Sequence, residues 1–132
     1  MATTNVRLSF DNSFSGTLHT ARGQFPVGKE EGTLAPYDMM LGALGACYYA
    51  TFLDIARKMR LQYTSATVDI SGVKREEVPT TLQTVTMVFT VVGAQDQKGF
   101  ERAAQLAAKY CSIHETIAQV ADITLETRFA DA

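Results

Sequence analysis

Few residues of this chain can act as nucleophiles or metal ligands. There are two cysteines, Cys47 and Cys111, and two histidines, His19 and His114. Cys47 follows a run of small residues, Gly42, Ala43, Gly45 and Ala46, and precedes Tyr48 and Tyr49. A thiol beside a thin stretch of helix and two aromatic rings fits a reactive site, because a thiolate is both a nucleophile and an oxidisable group. From this stretch alone packing is the favoured reading, since free cysteine is among the most buried residue types. Cys111 and His114 form a C-x-x-H pair, which is half of a zinc site. His19 is the one further histidine and no second ligand pair exists, so no metal is expected. There is no phosphate-cradling glycine loop and no Ser/His/Asp order of a known hydrolase.

These residues must be positioned by the segments that carry them. The segment from Ala35 to Arg60 carries Cys47 and reads as one long helix. Pro36 suits a first turn, where its missing N–H is not needed. Asp38 lies near the positive end of the helix dipole, and Arg57, Lys58 and Arg60 lie at the negative end. No charge falls between Asp38 and Asp54, so the helix should be buried on every side. The uncharged run is shorter than the roughly 18 residues of a membrane span, and no membrane association is expected. Gly42 and Gly45 each cost about 1 kcal/mol against alanine in a helix interior. They therefore point to close approach of another backbone or to room for a ligand.

Period-two alternation predicts strands over Asn5–Phe10, Ala66–Val73, Leu82–Val92 and Asp122–Phe129, with shorter ones over Ser15–Ala21 and Arg22–Val27. Val85, Met87, Phe89 and Val91 form one face of the strongest strand. A second helix is predicted from Lys98 to Tyr110, with Phe100, Ala103, Ala104, Ala107 and Cys111 on one side. Ser112 to Gln119 keeps helical character. The order of strands, long helix, strands, helix and strand is α+β with antiparallel sheets. One small sheet covers one side of the long helix only, so a second copy of the chain is expected on the other, in a homodimer with a large apolar interface.

The chain has 132 residues and a net charge of −2. It is expected to be a single domain, 1–132. The charge gives no reason to expect nucleic acid as a partner. The sequence Met1-Ala2-Thr3-Thr4 lacks the apolar run of an export signal, so the expected location is cytoplasmic, where thiols rest reduced.

Pro36-Tyr37-Asp38-Met39-Met40-Leu41-Gly42-Ala43-Leu44-Gly45-Ala46-Cys47 resembles the first cysteine motif of the OsmC/Ohr superfamily, the osmotically induced and organic hydroperoxide resistance proteins. Lys109-Tyr110-Cys111-Ser112-Ile113-His114 resembles the second. Lys74 to Pro79 and the strand after it are similar to the OsmC-like branch. The resemblance runs from about Val6 to Phe129. It implies an intertwined α+β homodimer with long buried central helices and active sites at the subunit interface. It also implies a thiol peroxidase that uses no cofactor, reduces small organic hydroperoxides and is recycled by a dithiol reductant. By motif, Cys47 is then the peroxidatic cysteine and Cys111 the resolving one, with Met39, Met40, Tyr48 and Tyr49 available to line a substrate pocket.

In characterised peroxidatic members an arginine held by a glutamate activates the thiol. Here the acidic residue is Asp38, one carbon shorter than glutamate. The hydroperoxide-resistance group carries its glutamate one position further from the cysteine, where this chain has Tyr37. Arg7 and Arg22 are the N-terminal candidates for the arginine, and neither stands in the family's arginine motif. The alternative is an OsmC-like protein that binds small molecules or senses redox state without an activating arginine.

Overall fold

The computed structural model describes residues 2–132, so Met1 lies outside the described residues. The elements are β1 (Arg7–Phe10), β2 (Gly16–Thr20), β3 (Gly23–Val27), α1 (Pro36–Lys58), β4 (Ser65–Lys74), β5 (Leu82–Val92), α2 (Gln97–Tyr110), α3 (Ser112–Ala118) and β6 (Asp122–Ala130). This is the expected α+β order. By its own contacts the chain divides into two compact units, Met1–Met40 and Leu41–Ala132.

The first unit is an antiparallel sheet in the order β1-β2-β3. Leu8 stands opposite Leu18, and Leu18 opposite Phe25, in one cross-strand row. Rows of this kind are the unit of sheet stabilisation. The Phe10 ring lies across Gly16, and a Cβ there would meet Phe10 Cδ1 at 2.5 Å. Val6, Leu8, Phe10 and Phe25 are exposed within this chain.

Helix α1 starts and stops on identifiable chemistry. The Ala35 main-chain N–H donates to Asp38 Oδ2 at 3.1 Å. That is half of a capping box, with the acid three residues into the helix satisfying an orphan donor. At the other end Arg60 adopts a left-handed conformation, with φ 59°. Arg60 N–H donates to the Arg57 carbonyl at 3.1 Å and Leu61 N–H to the Ala56 carbonyl at 2.9 Å. This is a Schellman stop made by arginine where glycine is usual.

The second unit packs α1 and α2 on a three-stranded sheet in the order β4-β5-β6. Val85, Met87, Phe89 and Val91 of β5 are all buried, as the alternation predicts. Phe52 of α1 is at the centre of the core. Its ring is 4.6 Å from that of Phe89, nearly edge-on, and 6.0 Å from that of Phe100 on α2. A Cβ on Gly45 would come within 3.2 Å of Ile70 Cδ1 and 3.9 Å of Val68 Cγ1. The glycine therefore lets β4 sit close against α1.

Two features differ from the sequence reading. β4 and β5 pair antiparallel, but β6 runs parallel to β5, with Thr84 opposite Asp122 and Val92 opposite Ala130. The physical reason is the connection: β5 reaches β6 through α2 and α3, and a helical crossover returns the chain in the same direction. Second, within this chain α1 is buried along one stripe, Leu44, Tyr48, Phe52 and Ala56, and not all round. Met40 is exposed, and a Cβ on Gly42 would touch nothing. By length and composition alone α1 is apolar enough to cross a membrane; its buried stripe instead packs into the core of the second unit. In keeping with the helical character expected after Ser112, α3 follows α2 as a separate short helix, and the break falls at Cys111.

Candidate active site

Cys47 follows Leu44 by three residues and precedes Tyr48 by one. The stripe through Leu44 and Tyr48 faces the core, so Cys47 falls at its edge and is half-buried. Such a sulfur is held by the core and still open to solvent.

Cys111 arrives from the other direction. Its main-chain N–H closes α2 by donating to the Ala107 carbonyl at 2.9 Å. Its backbone then turns extended, with φ −74° and ψ 116°. That turn brings the sulfur back over the next helix, where it accepts from His114 N–H at 3.4 Å and serves as the N-cap of α3. A sulfur in place of the usual Ser, Thr, Asp or Asn oxygen is a weak cap. Cys111 is fully buried.

The two cysteines meet at this break. Both thiols are free, and each acts on the acidity of the other. Ser112 Oγ lies 3.9 Å from Cys47 Sγ. Burial pushes the Cys47 thiol up. The main-chain N–H of Ile113, the Cys111 thiol, and the hydroxyl and N–H of Ser112 outweigh burial and hold it below the ordinary thiol range. Cys111 moves the opposite way. Burial raises it, and the hydrogen bond to Cys47 and the charge there add to the rise, against the N–H groups of His114 and Ile113. The two protons belong to the pair. Within the pair, Cys47 is displaced toward the thiolate and Cys111 toward the thiol.

The other residues singled out by sequence fall as follows. Tyr48 is fully buried, and its hydroxyl donates to the Ala104 carbonyl at 2.9 Å. It therefore pins α1 to α2 and lines no open pocket, which corrects its assignment to a substrate pocket. Burial pushes its hydroxyl well above the usual tyrosine range. Tyr49 is half-buried and shares a hydrogen bond with the Tyr63 hydroxyl. Tyr63 is pushed up to about 12, by burial first and then by Tyr49. Met39 is half-buried and Met40 exposed in the first turns of α1. The Asp38 carboxylate is engaged in capping that helix. Arg7 is exposed on β1 and Arg22 is exposed in the β2–β3 turn, both in the first unit. The main-chain N–H of His114 serves Cys111, and among the described residues no cluster of three or more potential metal ligands occurs.

Sequence reasoning passed over Ser112. It stands 65 positions from Cys47, and the contact depends on the break at Cys111. Its position beside Cys111 was the available signal.

The fold and the paired thiols define a class, and comparison with known proteins gives the same one. The model of the family described as OsmC-like protein matches residues 28–126. The chain belongs to this family, within the OsmC/Ohr superfamily. It is 31% identical over 93 residues to protein YhfA of Escherichia coli K12, covering 68% of this chain and 69% of that protein. A hypothetical protein from Aquifex aeolicus VF5 has a similar structure, with TM-score 0.90, 22% identity and coverage of 100% of this chain and 99% of that one. An organic hydroperoxide resistance protein OsmC from Legionella pneumophila, described as a predicted redox protein and regulator of sulfide bond formation, aligns with TM-score 0.76 and 14% identity over 97% of this chain and 98% of that one.

Proposed function

We propose that this protein is a thiol peroxidase that reduces small organic hydroperoxides through Cys47 and Cys111. One observation carries the reading: two free thiols that act on one another, with opposite displacements of their acidity. A peroxidatic sulfur must be ionised and reachable, and Cys47 is the lowered and half-exposed one. A resolving sulfur must wait as a thiol beside it, and Cys111 is the raised and buried one. The family and the name of the Legionella protein support the same chemistry.

The steps balance as follows. The Cys47 thiolate attacks the terminal peroxide oxygen. An S–O bond forms, the O–O bond breaks, and the leaving alkoxide takes up a proton to become the alcohol. Cys47 is oxidised by two electrons to a sulfenic acid. The Cys111 sulfur then attacks Cys47, its proton and the sulfenic hydroxyl leave as water, and a disulfide results. An external dithiol reopens the disulfide by exchange, is itself oxidised to a disulfide, and restores both thiols. Arg7 and Arg22 are the candidates for a catalytic arginine. Asp38, whose carboxylate is occupied by the helix cap, is given a structural part.

Cys111→Ser tests the two-cysteine scheme. With a dithiol reductant present, this variant is expected to consume about one equivalent of hydroperoxide and then slow by a factor of ten or more, with Cys47 accumulating as a sulfenic acid that a cyclic dione traps. Sustained turnover by Cys111→Ser at the parent rate would refute a resolving role for Cys111.

We also infer a homodimer. The apolar surface of α1 outside its buried stripe and the apolar row of the first sheet are exposed within the chain, with Met40, Leu8, Phe10 and Phe25 each more than 40% accessible. Exposed apolar side chains grouped on one element in this way mark an interaction face. Light scattering at micromolar concentration is expected to give twice the chain mass of 14.4 kDa; a monomer mass would count against the assembly. The second reading, a redox-sensing or binding protein, rests on the absence of a cation among the groups acting on Cys47 in the described residues. It predicts disulfide formation without catalytic turnover.

A further inference from the structure

We propose that Ser112 is the positioning residue for the Cys47 thiolate, its hydroxyl doing by hydrogen bonding what a cation does in other cysteine peroxidases. The proposal deepens the peroxidase reading by naming what activates its nucleophile.

Three observations carry it. Ser112 Oγ is 3.9 Å from Cys47 Sγ, within reach of an O–H···S hydrogen bond. The hydroxyl is the first polar side chain after the break, so the same turn that buries Cys111 aims Ser112 at the other thiol. Moreover, the carbonyl of Ser112 accepts from Thr116 Oγ1 at 3.0 Å, which ties the first turn of α3 together. The main-chain N–H groups of Ser112 and Ile113, at the same break, also act to lower the Cys47 thiol. Groups of three kinds at the break thus favour the Cys47 thiolate: main-chain N–H groups, the Cys111 thiol and the Ser112 hydroxyl, the last 3.9 Å from the sulfur.

The ionisable groups nearby are accounted for. From the α2–α3 side the group facing Cys47 is Cys111, a donor while it keeps its proton. On α1 the neighbouring Tyr48 directs its hydroxyl to Ala104 and is neutral. The main-chain N–H of His114 is committed to Cys111. Among the described residues no fixed positive charge acts on the Cys47 sulfur. Hydrogen bonds to a charged group are about twice as strong as neutral ones. The loss of one from a thiolate should therefore be visible.

The test is the pH dependence of Cys47 alkylation by iodoacetamide, resolved by peptide mapping in the full chain with both cysteines present. Ser112→Ala is expected to move the midpoint to higher pH, slowing alkylation at pH 7 about tenfold and leaving the high-pH plateau unchanged. Ser112→Thr restores the hydroxyl and is expected to return the rate to within about threefold of the parent. An unmoved midpoint in Ser112→Ala, or failure of Ser112→Thr to restore it, would overturn the proposal. Ser112 is exposed, and circular dichroism of both variants is expected to match the parent. No peroxide enters this measurement. A shifted profile in a protein that does not turn over hydroperoxide would therefore keep the role of Ser112 and remove the peroxidase reading.

Discussion

Cys47→Ser is expected to lower the consumption of an organic hydroperoxide, with a dithiol reductant in excess, to that of buffer and reductant alone. The effect is this large because the hydroxyl of serine cannot stand in for the thiolate. Its acidity is many orders of magnitude lower, so the donors gathered around position 47 have no anion to hold at neutral pH. Cys111 cannot take over. It is fully buried, and burial together with the Cys47 charge raises it in the parent. The substitution exchanges one half-buried sulfur for a smaller oxygen at the edge of the core, so the fold should persist. Undiminished turnover by Cys47→Ser would end the peroxidase reading, because no other thiol in the chain is exposed enough to replace it.

The largest expected effect on stability comes from Phe52→Ala. Phe52 is fully buried, and its ring contacts Phe89, Phe100, Tyr49 and Tyr63. It therefore joins α1 to β5 and α2 at the point where the three elements meet. Removing a buried phenylalanine ring costs about 3–5 kcal/mol, from lost transfer and from the cavity left behind. For a chain of this size that lowers the melting temperature by roughly 10–20 °C. Thermal unfolding followed by circular dichroism measures it. A shift under about 3 °C would mean that the ring does not hold the elements together. The alignment of Cys47 with Cys111 depends on this packing, because α1 carries one sulfur and α2 ends at the other. Hydroperoxide turnover in Phe52→Ala should accordingly fall well below the melting point.

Most of the architecture was legible locally. Pro36, Asp38, Arg57 and Lys58 mark the ends of α1 because each acts within one turn of its own position. Val85, Met87, Phe89 and Val91 mark the buried face of β5 because alternation and burial coincide there. The direction of β6 was not legible from its own residues. Alternation is the same in a parallel and an antiparallel strand, and the direction follows from the crossover before it. Tyr48 and Tyr49 look alike in sequence, yet one residue of helical rotation separates a core position from the half-buried face. Gly42 and Gly45 look alike as well. Only Gly45 meets a strand of the same chain.

The site was half legible. The two cysteines stood out by type and by motif. Their contact, and the part of Ser112 in it, depend on an extended backbone at Cys111 that carries neither glycine nor proline to announce it. Arg7 and Arg22 were sought because a thiolate needs stabilisation; Ser112, which lies 3.9 Å from the Cys47 sulfur, carries no charge and so does not stand out in such a search.

The most direct test of the two-cysteine account is intact mass and peptide mapping of the fully reduced protein after one equivalent of an organic hydroperoxide, with hydrogen peroxide in parallel. The account predicts loss of the mass of two hydrogen atoms, rapid formation of a Cys47–Cys111 disulfide, and faster reaction with the organic oxidant. Slow oxidation that does not distinguish the two oxidants, or a product in which Cys47 is oxidised and Cys111 stays free, would contradict it.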